Sequence, residues 1–297
     1  MSRVAYVNGE YVPHRTAAVH IEDRGYQFAD GVYEVCAVLG GKILDLEPHL
    51  NRLARSLNEL SIARPMSWAA LKVVMAETVR RNKIRHGMLY IQITRGVARR
   101  DHPFPAATPP SLVMTARAVD FNAVIKRSEK GIAVITLPDM RWQRRDIKSI
   151  ALLPNILAKQ AAKEAGAYEA WQVDPQGFVT EGSSTNAWIV TKDGALVTRS
   201  LSHDILPGIT RQIIIKLAAE HGLKLVERDF TVAEAMEARE AFLTSTTAFA
   251  MPVVRIDSAV LGNGHPGSVC RELIRHYWAY LRQETGISRE DFPEMPV

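Results

Sequence analysis

The chain is poor in cysteine, in long apolar runs and in charge of one sign. Its two cysteines, Cys36 and Cys270, stand far apart in 297 residues. No CxxC pair is available for a structural zinc, and so few thiols do not make a disulfide framework. The nine histidines form no HExxH and no other close ligand pair, so no metal site is expected. No apolar stretch approaches the ~18–20 residues that span a bilayer. The opening MSRVAYVNGEYV alternates polar and apolar residues, without the ~7–15 consecutive apolar residues of a secretory leader. The expectation is a cytoplasmic protein with no membrane partner. The formal net charge is only +5. Basic residues are interleaved with acids, and even the densest cluster, Arg141 to Lys148, contains Asp146. That argues against the basic stripe of a nucleic-acid binder. A basic binding protein without chemistry is the non-enzymatic alternative.

Apolar material is plentiful: 47% of residues are hydrophobic and 23% charged, the balance of a folded globular protein. At roughly 100–200 residues per domain, the length suggests two domains. Asn8-Gly9 between Val4–Val7 and Tyr11–Val12 predicts a hairpin. Pro48 opens a helix in which Leu50, Leu53, Leu57 and Leu60 recur at helical spacing as a buried stripe, with Arg52 off its centre. Ser67 is a good N-cap for a second helix. Strands are expected at 88–95 and 111–117, joined by the Pro-containing loop 96–110. Beyond a charged stretch at 126–130, strands and helices alternate irregularly up to a final helix at 267–284. Many short strands with helices set to one side predict an α+β architecture. The division expected is an N-terminal α+β domain at 1–120, an interdomain linker at 121–130, a second domain at 131–285 and a frayed tail at 286–297.

Several segments could carry chemistry. Gly262-Asn263-Gly264-His265-Pro266-Gly267 matches GxGxxG, but only one helix follows it, so it reads as a turn. Pro207-Gly208-Ile209-Thr210 opens an amphipathic helix; Thr210 could cap that helix or serve a phosphate at its N-terminus. Glu181 to Asn186 and Thr244 to Thr247 are hydroxyl-rich, and each could bind an anion or form an ordinary turn. Lys148, flanked by Ile147 and Ile150, could be a surface lysine or a partly buried one. Burial disfavours the charged amine, and a neutral amine is what carbonyl chemistry needs.

Taken together, Gly25–Val35 (GYQFADGVYEV), His49-Leu50-Asn51-Arg52-Leu53, Asp146-Ile147-Lys148-Ser149, Thr180–Asn186 (TEGSSTN), Pro207–Arg211 (PGITR) and Thr244–Thr247 (TSTT) resemble, in order and spacing, the fold-type IV pyridoxal-phosphate aminotransferases. The resemblance covers roughly residues 1 to 285. It implies a smaller N-terminal α/β sandwich domain and a larger C-terminal cofactor-binding domain with a strand-rich, barrel-like core. It implies that Lys148 joins pyridoxal 5'-phosphate covalently and shuttles the proton. Glu181 would pair with the pyridine nitrogen. Arg52, Ile209, Thr210 and Thr246 would hold the phosphate, and Ser183 and Ser184 would help position the ring. Arg141 and Ser245 are further candidates.

The loop Arg95–Pro105 is similar to the D-amino-acid branch of the family. There Arg100, His102 and Tyr33 would bind the substrate carboxylate. The implied reaction moves an amino group between D-amino acids (D-alanine, D-glutamate) and 2-oxo acids (2-oxoglutarate, pyruvate) in a ping-pong cycle, in a homodimer. A branched-chain L-amino-acid aminotransferase and an aminodeoxychorismate-lyase-like enzyme are the alternatives on the same scaffold.

Overall fold

The alternation of Val4 to Val12 around Asn8-Gly9 does close a hairpin, β1 (Val4–Val7) and β2 (Glu10–Pro13). The computed structural model describes residues 3–296 and divides into two units. One holds the chain up to Asp120 together with Ile147–Ala151. The other holds Phe121–Asp146 and the chain from Leu152 onward.

The first unit continues with α1 (Arg24–Phe28), β3 (Gly31–Leu39), β4 (Lys42–Ile43), α2 (Leu46–Glu59), α3 (Trp68–Arg81), β5 (Gly87–Thr94) and β6 (Ser111–Ala118). Its six strands form an antiparallel sheet in the order β2-β1-β6-β5-β3-β4. Val32, Cys36 and Val38 of β3 and Leu89, Ile91 and Ile93 of β5 meet Leu50, Leu53 and Leu57 of α2 and Leu71, Met75 and Val79 of α3 in one core. Each such side chain contributes about 1.5–3 kcal/mol through burial. Leu60, expected in the stripe, is only partly buried because α2 has ended at Glu59. The same helix face also buries His49, Arg52 and Ser56, three polar groups that need partners.

The second unit comprises α4 (Phe121–Lys130), β7 (Ile132–Pro138), α5 (Leu153–Glu164), β8 (Glu169–Val173), β9 (Val179–Gly182), β10 (Asn186–Val190), β11 (Leu196–Thr198), α6 (Ile209–Glu220), β12 (Leu225–Glu227), α7 (Val232–Met236), β13 (Glu240–Ser245), β14 (Phe249–Ile256), β15 (Ala259–Val260) and α8 (Ser268–Thr285). Its described strands make one mixed, curled sheet in the order β12-β11-β10-β13-β14-β7-β8-β9, with β15 on β14. The architecture is α+β, with a larger, strand-rich second unit.

Three stretches differ from expectation. Ile147–Ala151, expected within the second domain at 131–285, belongs to the first unit, where it pairs with β3. Residues 121–130, expected as a linker, form the amphipathic helix α4. It buries Phe121, Val124 and Ile125, and Phe121 stacks on Phe249 at 5.0 Å. The tail expected to fray from 286 instead buries Ile287, Phe292 and Met295. Phe292 packs against Trp278 at 5.6 Å and Phe121 at 6.3 Å. Sparse apolar residues among polar ones concealed an aromatic anchor; Val297 lies outside the described residues. The GxGxxG segment lies between β15 and α8, with no strand beyond it among the described residues.

Candidate active site

In the first unit, the segment Ile147–Ala151 runs antiparallel beside the start of β3. The Tyr33 amide donates to the Lys148 carbonyl at 2.9 Å, and the Ile150 amide to that of Gly31 at 3.1 Å. Gly31 permits this approach: a Cβ there would lie 2.7 Å from the Ile93 carbonyl and 3.1 Å from Ile150 Cδ1. On the other side, the Lys148 amide donates to Ser56 Oγ at 3.3 Å. The backbone around Lys148 is thus fixed by β3 and α2. Its half-buried side chain places Nζ 4.3 Å from the centre of the Tyr33 ring.

Successive residues of β3 point to opposite sides. Glu34 therefore faces the helices, while Tyr33 packs on the ring of Tyr90 at 5.7 Å. Glu34 is almost fully buried (1% exposed) and meets the polar stripe of α2. Arg52 donates through Nε to Oε1 at 2.7 Å and through Nη2 to Oε2 at 2.8 Å. His49 Nδ1 lies 2.8 Å from Oε2. Burial alone would raise the Glu34 pKa, but Arg52 and His49 hold it well below the usual carboxylate range.

Arg100 and His102 lie on the exposed loop after β5. The Arg100 guanidinium sits 4.6 Å from the centre of the Phe28 ring, and the His102 ring 5.7 Å from it. The structure brings these two together on Phe28; among the described residues neither shares a hydrogen bond or ring contact with Tyr33.

In the second unit, Glu181 of β9 is buried and accepts from three donors. Arg141 Nη1 reaches Oε1, while Asn186 Nδ2 at 2.9 Å and the Leu206 amide at 3.1 Å reach Oε2. Burial pushes the Glu181 carboxyl up, against the opposing pull of Arg141. Asp139 holds Arg141 from the other side, at 2.7 Å from Nη2, and accepts from Thr180 Oγ1 at 2.7 Å.

Ser183 and Ser184 follow Glu181 as read from the sequence, but their hydroxyls donate to the buried Glu169. Ile209 and Thr210 open α6 and are buried. The N-cap is Gly208, with no side-chain cap bond, so Thr210 does not cap the helix. A Cβ on Gly208 would lie 2.0 Å from Asn186 Oδ1. Thr246 lies in the turn between β13 and β14, where Ser245 Oγ accepts from the Ala248 amide at 3.2 Å.

Sequence reasoning missed Glu34, His49, Asp139, Glu169 and Asn186. Two signals were available. Glu34 stands at an inward position of an apolar strand, and His49 and Arg52 share a helix face with three leucines. Asp139 and Glu169 carried no comparable signal. No group of three or more His, Cys, Asp or Glu set to hold a metal occurs among the described residues. No described helix is long and apolar enough to cross a membrane.

Residues 31–256 match the family model of amino-transferase class IV. The chain belongs to the class IV aminotransferases. This aminotransferase is 42% identical over 266 residues to the D-alanine aminotransferase of Bacillus licheniformis, covering 90% of this chain and 93% of that protein. It is 40% identical over 282 residues to that of Listeria monocytogenes, covering 94% and 96%. Among solved structures it resembles the branched-chain aminotransferase from the thermophilic archaeon Thermoproteus uzoniensis with norvaline. That match has a TM-score of 0.84 and 26% identity, over 99% of this chain and 98% of the other.

Proposed function

We propose that this aminotransferase moves amino groups between D-amino acids and 2-oxo acids with pyridoxal 5'-phosphate, as a cytoplasmic homodimer. The observation that carries the choice of D-amino acids is the 42% identity to a D-alanine aminotransferase across 90% of this chain. D-alanine and D-glutamate are the proposed donors, with pyruvate and 2-oxoglutarate as acceptors.

The residues present suit such a cofactor. Helix α6 opens on a glycine that adds no capping side chain and contributes the buried Thr210 hydroxyl in its first turn. Amides at a helix N-terminus favour a phosphate dianion. Glu181 offers a carboxylate suited to a protonated ring nitrogen, and Lys148 an amine suited to an aldehyde. Ile209, Thr210, Thr246 and Arg52 are assigned to the phosphate. Bound, the cofactor supplies a carbonyl for the substrate amine and a ring that withdraws electrons from the α-carbon.

The chain's own groups do the rest. Lys148 Nζ removes the proton from the substrate Cα and returns it across the transfer. Arg141, Asn186 and the Leu206 amide hold the Glu181 carboxylate oriented. Ser183 and Ser184, bound to Glu169, shape the loop that follows Glu181, and Ser245 does the same for the turn bearing Thr246. Arg100, His102 and Tyr33 bind the substrate carboxylate, where arginine offers a bidentate fork. Fixing the carboxylate selects the enantiomer that presents its Cα–H to the lysine.

Steady-state turnover across paired D- and L-amino donors tests this reading. D-alanine with 2-oxoglutarate is expected to give D-glutamate. Strong turnover of L-leucine with none of D-alanine would overturn the reading in favour of a branched-chain enzyme.

Gly208→Ala is expected to weaken pyridoxal phosphate binding by about 10-fold or more, since its methyl displaces Asn186 from Glu181. Absorbance titration of the apo-protein measures this directly.

A further inference from the structure

The loop bearing Arg100 and His102 is exposed, yet its backbone is tied to a buried side chain. Arg24 is 4% exposed. Its Nη1 donates to the carbonyl of Asp101 at 2.6 Å and its Nη2 to that of His102 at 3.2 Å. Its Nε donates to Asp30 Oδ2 at 2.8 Å. Asp30 is in turn gripped by Arg95, through Nε at 2.8 Å and Nη2 at 3.0 Å. Arg95 also donates to the carbonyls of Leu60 and Ser61 at 2.7 Å and 2.9 Å, just beyond α2. The loop is thereby anchored to the same helix that packs on β3.

The Phe28 ring completes the arrangement. Arg24 lies 4.9 Å from its centre and Arg100 4.6 Å, with the His102 ring at 5.7 Å. Asp30 is shared as an ion-pair partner by Arg24 and Arg95. Arg100 forms no ion pair among the described residues, so its charge is left for an anion from outside. A flat aromatic seat restricts a long guanidinium side chain without consuming its N–H donors.

We propose that Arg24 and Phe28 are positioning residues for the substrate carboxylate. Arg24 fixes the backbone at Asp101 and His102, and Phe28 seats the Arg100 and His102 side chains so that both are presented together. The proposal rests on the reading of Arg100 and His102 as the carboxylate-binding pair. Its benefit is preorganisation: a loop already ordered loses less freedom when the substrate binds.

The test uses the holoenzyme and three variants, Arg24→Met, Phe28→Leu and Arg100→Met. It reads KM and kcat for D-alanine, the dissociation constant of propionate as an unreactive carboxylate, the affinity for pyridoxal phosphate, and amide exchange over residues 97–104. Arg100→Met is expected to raise KM and the propionate constant by about 10–100-fold. Arg24→Met and Phe28→Leu are each expected to raise both by about 10-fold with kcat little changed. Cofactor affinity is expected to hold, and exchange in the loop to quicken in Arg24→Met.

If Arg100→Met leaves KM and propionate binding unmoved, the carboxylate reading itself is wrong. If Arg100→Met has its effect and both other variants bind propionate normally, the positioning role is overturned. A parallel loss of cofactor affinity in Arg24→Met and Phe28→Leu would assign those residues to general stability instead, which also overturns it.

Discussion

Replacing Lys148 by alanine is expected to lower kcat for D-alanine by about 10⁴-fold or more, while the protein stays folded. The two halves of this expectation have separate physical origins. Lys148 is held in place through its backbone, by the Tyr33 amide at its carbonyl and by Ser56 Oγ at its own amide. Alanine keeps both bonds. The side chain adds its contact with the Tyr33 ring, worth about 0.5–1 kcal/mol at a partly exposed site. No other group in its segment can replace the amine: Ile147, Ser149 and Ile150 flank it. Steady-state turnover with far-UV circular dichroism and thermal unfolding of the same sample checks both halves. Wild-type turnover in the variant would remove Lys148 from the mechanism. Loss of the folded signal would instead show that its side chain supports the segment.

How much of this was legible in the sequence depends on whether a signal was local. The Asn8-Gly9 hairpin, the stripe of Leu50, Leu53 and Leu57 in α2 and the Ser67 cap of α3 act over a few residues, and the structure places each as expected. Lys148, Glu181 and Thr210 stand out because their neighbours form recognisable local patterns. What stayed hidden was set by pairing across long stretches of chain. The alliance of Ile147–Ala151 with the first unit depends on a strand more than 100 residues earlier. Glu169 reads as an ordinary acid until β8 sets it under Ser183 and Ser184. Residues 121–130 looked like a linker because charges occupy the outer face of α4, while its inner face carries Phe121, Val124 and Ile125. The serines at 183 and 184 illustrate the converse: they follow Glu181 in a legible pattern, but that pattern does not reveal that their hydroxyls donate to Glu169.

Glu34→Ala is expected to destabilise the apo-protein by about 3–5 kcal/mol, more than any other single substitution discussed. The cost lies chiefly in what is left behind. Arg52 and His49 are buried beside Leu50 and Leu53, and the alanine variant removes the carboxylate that balances the buried guanidinium charge. Glu34→Gln keeps the volume and one acceptor, so its cost is expected to be smaller. It also isolates the charge. In the wild type, burial opposes ionisation of Glu34 but Arg52 and His49 prevail, so its folded pKa lies below its ordinary value of 4.5. A depressed folded pKa gives stability that is complete above the unfolded value and is lost as pH falls through that value toward the folded one. Wild-type unfolding free energy should therefore fall between about pH 5 and about pH 3, and the Glu34→Gln curve should be flatter over that window. Urea unfolding of both apo-proteins across the window is the measurement. Parallel curves would show that Glu34 contributes nothing through its charge. Working without cofactor matters, because Arg52 is also the proposed phosphate ligand. Bound pyridoxal phosphate would add its own linkage to the unfolding free energy and mask the difference that Glu34 makes.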